Sequence, residues 1–382
     1  MNISLSSFLL ATGASLVLST AAAQQPHTPI DRFARHLSTA QTNEGDLVGI
    51  FLHERVSSAT LEAIRLGEEP RVVLFIHGGS VSSVPNFDLP FKDYSWMETF
   101  AEAGFDTFSM DQTGYGFSPR PLMDNPCNVR SADQHLLIPQ VLAESCETGH
   151  AYPLTTLQSD VDEIDTVVEY LRDLRGVDRV HLIGWSAGGR RSAAYAATYP
   201  EKVARIVLVA PSVPNPDAVD QDVTAPMRLQ SRTALMRDRW EDQIVCENQV
   251  DPEIRDVIWQ TIMAFDSLGS AWGAPEGVMR VRMAKGLEWD TSFPEKIAAD
   301  TLILVGRQDG LLESGRRLYS DLMMPQRKVL VEMECATHMA AWERSQYRFM
   351  QEASRQWLSS GQLHDQTTGR FRSPANSMEI RD

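Results

Sequence analysis

Gly184-Trp185-Ser186-Ala187-Gly188 sets a serine between glycines at the spacing G-x-S-x-G, with Gly189 following. A β-branched run, Val180-His181-Leu182-Ile183, leads into it and a small-residue stretch leads out. A sharp strand-to-helix turn there would raise the Ser186 hydroxyl above a sheet, and the flanking glycines would let backbones approach closely. Such a serine becomes a nucleophile when a base takes its proton and an acid orients that base. Of nine histidines, His338 comes directly after a strand-like run ending near Met333, at the edge where catalytic loops collect. His338 is therefore the expected base. Asp309 follows the apolar run Thr301 to Val305 and is the expected acid, with Asp217 as its rival; Glu334 stands too close to His338 in sequence. His77-Gly78-Gly79-Ser80 follows another apolar run, so Gly79 N–H and Ala187 N–H are the expected donors to an oxyanion, with Ser80 as the alternative to Gly79. His77 is read as holding its loop. Ser80, Trp185 and Met339 are the expected walls of a substrate pocket.

These residues must be carried by an alternation of short β-branched runs and longer amphipathic stretches, the pattern of a mostly parallel sheet flanked by helices. Leu47 to Val56, Arg71 to Ile76, Phe105 to Met110, Arg179 to Trp185, Ala204 to Val209, Thr301 to Val305 and Lys328 to Met333 read as strands. Asp93 to Ala103, Leu157 to Leu174, Ala187 to Thr198, Leu311 to Leu322 and Ala340 to Leu358 read as helices. Residues 213–295 show several helical stretches and no clear strand, so they read as a helical cap inserted into one α/β core, 46–212 and 296–360. Ser118 to Pro153, rich in Pro, Asn and Ser, is too long for a simple connection and is expected to be an ordered loop bordering the site's mouth. Residues 24–45 form an N-terminal segment, and the polar stretch 361–382 is expected to be a frayed tail.

Composition removes several classes of function. With 35 basic against 51 acidic residues, a formal charge of −16 and no Lys/Arg stripe, nucleic acid and anionic membrane are not expected as partners. The four cysteines form no C-x-x-C pair, and neither a metal nor an organic cofactor is implied. Ser4 to Thr20 is uncharged and apolar and runs into Ala21-Ala22-Ala23, so residues 1–23 read as a signal peptide, although no Lys or Arg precedes the apolar stretch. An exported chain would let Cys127 and Cys146 close a modest loop as a disulfide, while Cys246 and Cys335 read as isolated. No later segment is apolar enough to span a membrane, so a soluble mature protein is expected.

Taken together, His77-Gly78-Gly79, the turn Asp111-Gln112-Thr113-Gly114-Tyr115-Gly116-Phe117-Ser118, Gly184 to Gly188, Asp309 and His338 resemble a serine hydrolase of the α/β-hydrolase fold with a helical cap. The resemblance covers about residues 46–358. It implies hydrolysis of a small-molecule carboxylic ester or lactone through Ser186, His338 and Asp309 and an acyl-enzyme. Cleavage of a C–C bond in a diketone, or of an amide, by the same triad is the alternative, and a silent binding scaffold is a third. Related dehalogenases and epoxide hydrolases use an aspartate nucleophile, which Ser186 excludes. Proline iminopeptidases carry Pro-Gly where Ser80-Val81 stands.

Overall fold

The runs of Val, Ile, Leu and Phe that read as strands are buried on both faces in the computed structural model, which describes residues 29–215, 223–273, 275–285 and 288–382. The expected signal peptide and the rival acid Asp217 lie outside these described residues. The strands are β1 (Ile30–Leu37), β2 (Leu47–Arg55), β3 (Arg71–Ile76), β4 (Phe105–Met110), β5 (Val180–Trp185), β6 (Val203–Val209), β7 (Met227–Gln230), β8 (Met279–Arg282), β9 (Asp300–Gly306), β10 (Lys328–Met333) and β11 (Thr368–Ser373). Nine of them form one sheet in the order β1-β2-β4-β3-β5-β6-β9-β10-β11. Pairing is parallel from β4 through β11, and β1 and β2 are antiparallel to each other and β2 to β4. Helices Leu157–Arg175, Ala187–Thr198, Leu312–Asp321 and Tyr347–Ser360 connect the parallel strands. Helix Leu157–Arg175 starts at a Thr156/Ser159 capping box and stops at left-handed Gly176.

Four expectations are corrected. The stretch 361–382 is not a frayed tail: β11 pairs in parallel with β10 along the sheet edge, and Arg370 reaches Glu332 at 3.5 Å. An edge strand is held by backbone hydrogen bonds on one side and needs little apolar side chain, so its polar composition hid it. The same holds for β1, whose exposed Phe33 and charged Asp31, Arg32 and Arg35 lie within the segment 24–45. The insertion is not purely helical, because β7 and β8 pair antiparallel and bracket helices Ile254–Ala264 and Ser267–Trp272. Arg280 and Arg282 disguised β8 as polar, yet both are buried against carboxylates. The stretch 340–358 is not one helix: a short turn at Ala340–Trp342 precedes Tyr347–Ser360, and between them buried Glu343 accepts bonds from Trp240 Nε1 and Thr337 N–H.

The excursion Ser118 to Pro153 joins the cap as one layer. Met123, Val129, Leu137 and Leu154 pack with Met227, Leu229, Trp272 and Val278 in a cluster separate from the main core. Cys127 and Cys146 are bonded, with Cα atoms 5.4 Å apart. Cys246 and Cys335, read as isolated, are bonded too, with Cα atoms 5.7 Å apart. Among the described residues no helix is long and apolar enough to cross a membrane.

Candidate active site

Ser186 follows β5 and immediately precedes helix Ala187–Thr198, with φ 59° and ψ −119°. That conformation costs a non-glycine residue about 1–3 kcal/mol. It is held by Ser186 N–H donating to Val209 C=O at 2.8 Å and by Ser186 C=O accepting from Ser212 N–H at 3.1 Å. The two motif glycines are required by close approach. A Cβ on Gly184 would sit 2.4 Å from Ser192 Oγ, and one on Gly188 would sit 2.0 Å from Ile76 C=O.

Asp309 follows β9 and His338 follows β10. Asp309 Oδ1 accepts from Leu311 N–H at 2.8 Å, and Oδ2 lies 2.9 Å from His338 Nδ1. His338 Nε2 lies 3.0 Å from Ser186 Oγ. A carboxylate oxygen can only accept, so the His338 proton sits on Nδ1 and Nε2 is left to accept from the serine hydroxyl. The structure thus brings together the serine, histidine and aspartate singled out in the sequence. Trp185 Nε1–H donates to His338 C=O at 3.2 Å and steadies that loop.

Gly79 and Ala187 lie against one another beside the serine: a Cβ on Gly79 would meet Ala187 Cβ at 3.4 Å, and one on Gly78 would meet Ser186 Cβ at 3.4 Å. Ala187 opens its helix, where the backbone N–H has no intrahelical acceptor. His77 is buried beneath this loop. Gln112 N–H donates to His77 Nε2 at 3.2 Å, so Nδ1 carries the proton and donates to Gly78 C=O at 2.7 Å. Burial first, and then the neighbouring Arg191, push this imidazole well below its ordinary range, which keeps it neutral. Tyr115 O–H donates to Gly79 C=O at 2.7 Å and fixes the loop from the other side. The turn bearing Tyr115 closes on Asp111, whose Oδ1 accepts from Ser83 N–H at 2.8 Å. A Cβ on Gly116 would fall 1.6 Å from Asp111 Oδ2.

A cavity of about 210 Å³ opens at Ser186 and His338. Ser80, Trp185 and Met339, the expected walls, all line it, together with Leu235 and Trp342. A second cleft of about 500 Å³ shares Ser186 and His338 and runs past Asp309 and Gln243. None of the described residues lining either cleft comes from 118–153; Arg120 lines a small adjoining hollow with Ser80 and Val81, and farther along the excursion buttresses β7, with Arg130 N–H donating to Met227 C=O at 2.9 Å. Sequence reasoning missed Arg228 and Arg239, which line the first cavity from the cap, because a charged side chain in an insertion reads as solvated surface. It also missed Tyr115, although the glycines on either side of it marked the turn.

A family model described as alpha/beta hydrolase fold matches residues 71–245. The chain is 27% identical over 143 residues to a 2-hydroxy-6-oxononadienedioate/2-hydroxy-6-oxononatrienedioate hydrolase of Paraburkholderia phymatum, covering 37% of this chain and 36% of that protein. It is 26% identical over 188 residues to a 2-hydroxy-6-oxo-6-phenylhexa-2,4-dienoate hydrolase of Burkholderia cepacia, covering 46% and 62%. The chain therefore matches less than two thirds of the length of these curated relatives. A solved meta-cleavage product hydrolase from Pseudomonas fluorescens superposes with a TM-score of 0.51 at 18% identity, over 86% of this chain and 98% of that one. At that identity the likeness concerns the fold. The sheet order, the strand-to-helix serine turn and these matches agree: the chain has the α/β-hydrolase fold.

Proposed function

We propose that this protein is a serine hydrolase that opens a carboxylic ester or lactone through an acyl-enzyme. The continuous chain Ser186 Oγ, His338 Nε2, His338 Nδ1, Asp309 Oδ2, at 3.0 and 2.9 Å, carries the reading. Ser186 attacks the carbonyl carbon as its proton passes to His338 Nε2. Asp309 holds the imidazole tautomer and stabilises the imidazolium, and Gly79 and Ala187 N–H groups hold the tetrahedral oxyanion. Collapse breaks the C–O bond, and the departing alkoxide takes the proton from His338. Water then attacks the acyl carbon, gives its proton to His338, and the acid leaves as that proton returns to Ser186 Oγ.

A second reading is favoured by the comparisons. The substrates named for both curated relatives bear a ketone and carboxylate but no ester, so hydrolysis there must break a C–C bond. The same residues would serve, with a carbanion equivalent as the leaving group. Export belongs to the proposal as well. It is supported by the bonded pairs Cys127–Cys146 and Cys246–Cys335, since such bonds persist in oxidising compartments.

Fluorophosphonate labelling with peptide mapping tests the core of the proposal. Attachment is expected at Ser186, and Ser186→Ala should lower kcat by roughly 10⁴-fold or more with the fold intact. Hydrolysis surviving that change at near-native rate would overturn it.

A further inference from the structure

Two arginines of the cap reach into the cavity at Ser186, and both end on one hydroxyl. Arg228 Nη2–H donates to Ser80 Oγ at 3.0 Å, and Arg239 Nη1–H donates to the same oxygen at 3.3 Å. Both Ser80 lone pairs are then taken, so its O–H has only a donor role left towards the cavity. Arg228 has one further partner, the neutral side chain of Gln230 at 3.2 Å. Among the described residues, no carboxylate lies within ion-pair distance of either guanidinium. Asp133 is near enough to Arg228 to be felt but forms its bonds with Arg130 and with Leu229 N–H.

This is exceptional for the insertion. Arg232, Arg237, Arg255, Arg280 and Arg282, its other arginines, each contact a carboxylate. The chain as a whole carries a formal charge of −16, so acidic residues are not scarce. Two cations have thus been brought together without an anion, in a partly desolvated wall. Burial holds both guanidiniums below their usual basicity; at Arg228 it outweighs the opposing influence of Tyr115, and repulsion from Arg239 adds a smaller push in the same direction as burial. Like charges converging on one oxygen repel, and an anion placed between them would relieve the repulsion and accept several charge-assisted bonds.

We propose that Arg228, Arg239 and Ser80 form an anion subsite beside Ser186, and that the substrate bears a carboxylate on the part of the molecule lying in this cavity. The proposal rests on the serine-hydrolase reading and narrows its substrate class to half-esters of dicarboxylic acids, lactones bearing a carboxylate, or oxo acids. The fork of each guanidinium suits a planar carboxylate.

The test compares mono-para-nitrophenyl glutarate with para-nitrophenyl butyrate, a neutral ester of similar reach. The wild-type enzyme should favour the glutarate in kcat/KM, and Arg228→Met and Arg239→Met should each reduce the glutarate-to-butyrate ratio by roughly ten- to hundredfold. Arg228→Lys, which keeps the charge without the fork, should give an intermediate ratio and guards against a variant that fails to fold. A wild-type ratio near one, or a ratio that neither substitution moves, would overturn the subsite while leaving the hydrolase reading intact if Ser186→Ala abolishes both activities. Should neither ester be cleaved, the ester reading is what has failed. Calorimetric titration with glutarate then decides the subsite by itself: binding lost in the Arg228→Met, Arg239→Met double variant upholds it, and no binding to the wild-type protein overturns it.

Discussion

Cys246 of the cap is covalently joined to Cys335, which stands three residues before His338 on the loop leaving β10. The cap is therefore tied to the very loop that carries the histidine, across a sequence separation of 89 residues. Cys246 also donates its N–H to Gln249 Oε1, and Ser345 O–H donates to Cys335 C=O, so each end of the bond is anchored locally.

Closing a loop of that length removes denatured-state freedom worth roughly 4–5 kcal/mol in the chain-entropy model. Replacing both residues, Cys246→Ser and Cys335→Ser, should lower unfolding free energy by an amount of this order, read from denaturant midpoints. Activity should fall as well, because the His338 loop loses a tether while Ser186 does not. A double variant with native stability and native kcat would show the bond to be incidental. The Cys127–Cys146 pair, which spans a separation of only 19 residues and lines neither cleft at Ser186, should cost roughly 3 kcal/mol with little effect on kcat.

The cap is docked by charge as well as by sulfur. Asp160, in helix Leu157–Arg175, accepts from Arg191 Nε at 2.7 Å and from Arg282 Nη2 at 2.6 and 2.7 Å, and all three side chains are buried. Arg282 belongs to β8, which pairs with β7, the strand carrying Arg228. Its Nη1–H also donates to Thr113 C=O at 2.6 Å. Removing one partner of a buried ion pair costs about 3–5 kcal/mol because the other charge stays buried. Arg282→Met should therefore destabilise the protein by about that much, and it should raise KM through displacement of β7. A loss of under about 1 kcal/mol, within the range of exposed pairs, would contradict this role.

The central parallel strands were legible because continuous apolar runs leave few other folds open. Phe105–Met110 and Lys328–Met333 begin and end where the sequence pattern places them. Ser186, Asp309 and His338 were legible for a related reason: each falls in the loop after such a strand, and parallel strands gather those loops on one edge. What remained hidden depends on partners distant in sequence. β11 and β1 need only a neighbour's backbone, and Arg370 and Arg35 read as surface charge. Cys246 and Cys335 showed no spacing that could pair them. Arg228 and Arg282 look alike on paper, yet one meets Asp160 and the other Ser80, a distinction that only three-dimensional placement makes.

Glu163 offers a pH-dependent test of the same docking layer. It is buried under the Asp111–Ser118 turn, where Oε2 accepts from Thr113 N–H at 3.0 Å. Burial, and after it the negative charge of Asp160, raise its carboxyl from 4.5 to about 7, against the opposing pull of Arg282. The sign follows from proton binding. Between the unfolded value of 4.5 and about 7 the folded state holds a proton that the unfolded state has released, so stability falls as pH rises through this window. Above about 7 the folded protein keeps an ionised carboxylate in a buried site, at a cost of about 3 kcal/mol relative to the neutral form. Glu163→Gln retains an acceptor for Thr113 N–H and removes the ionisation. The variant should accordingly gain stability over wild type by about that amount at pH 8, with the gain shrinking to nothing as pH approaches 4.5. Denaturant unfolding at the two pH values measures the difference. An equal offset at both would mean that Glu163 does not change its charge in the folded protein across this range, and the raised carboxyl would be wrong.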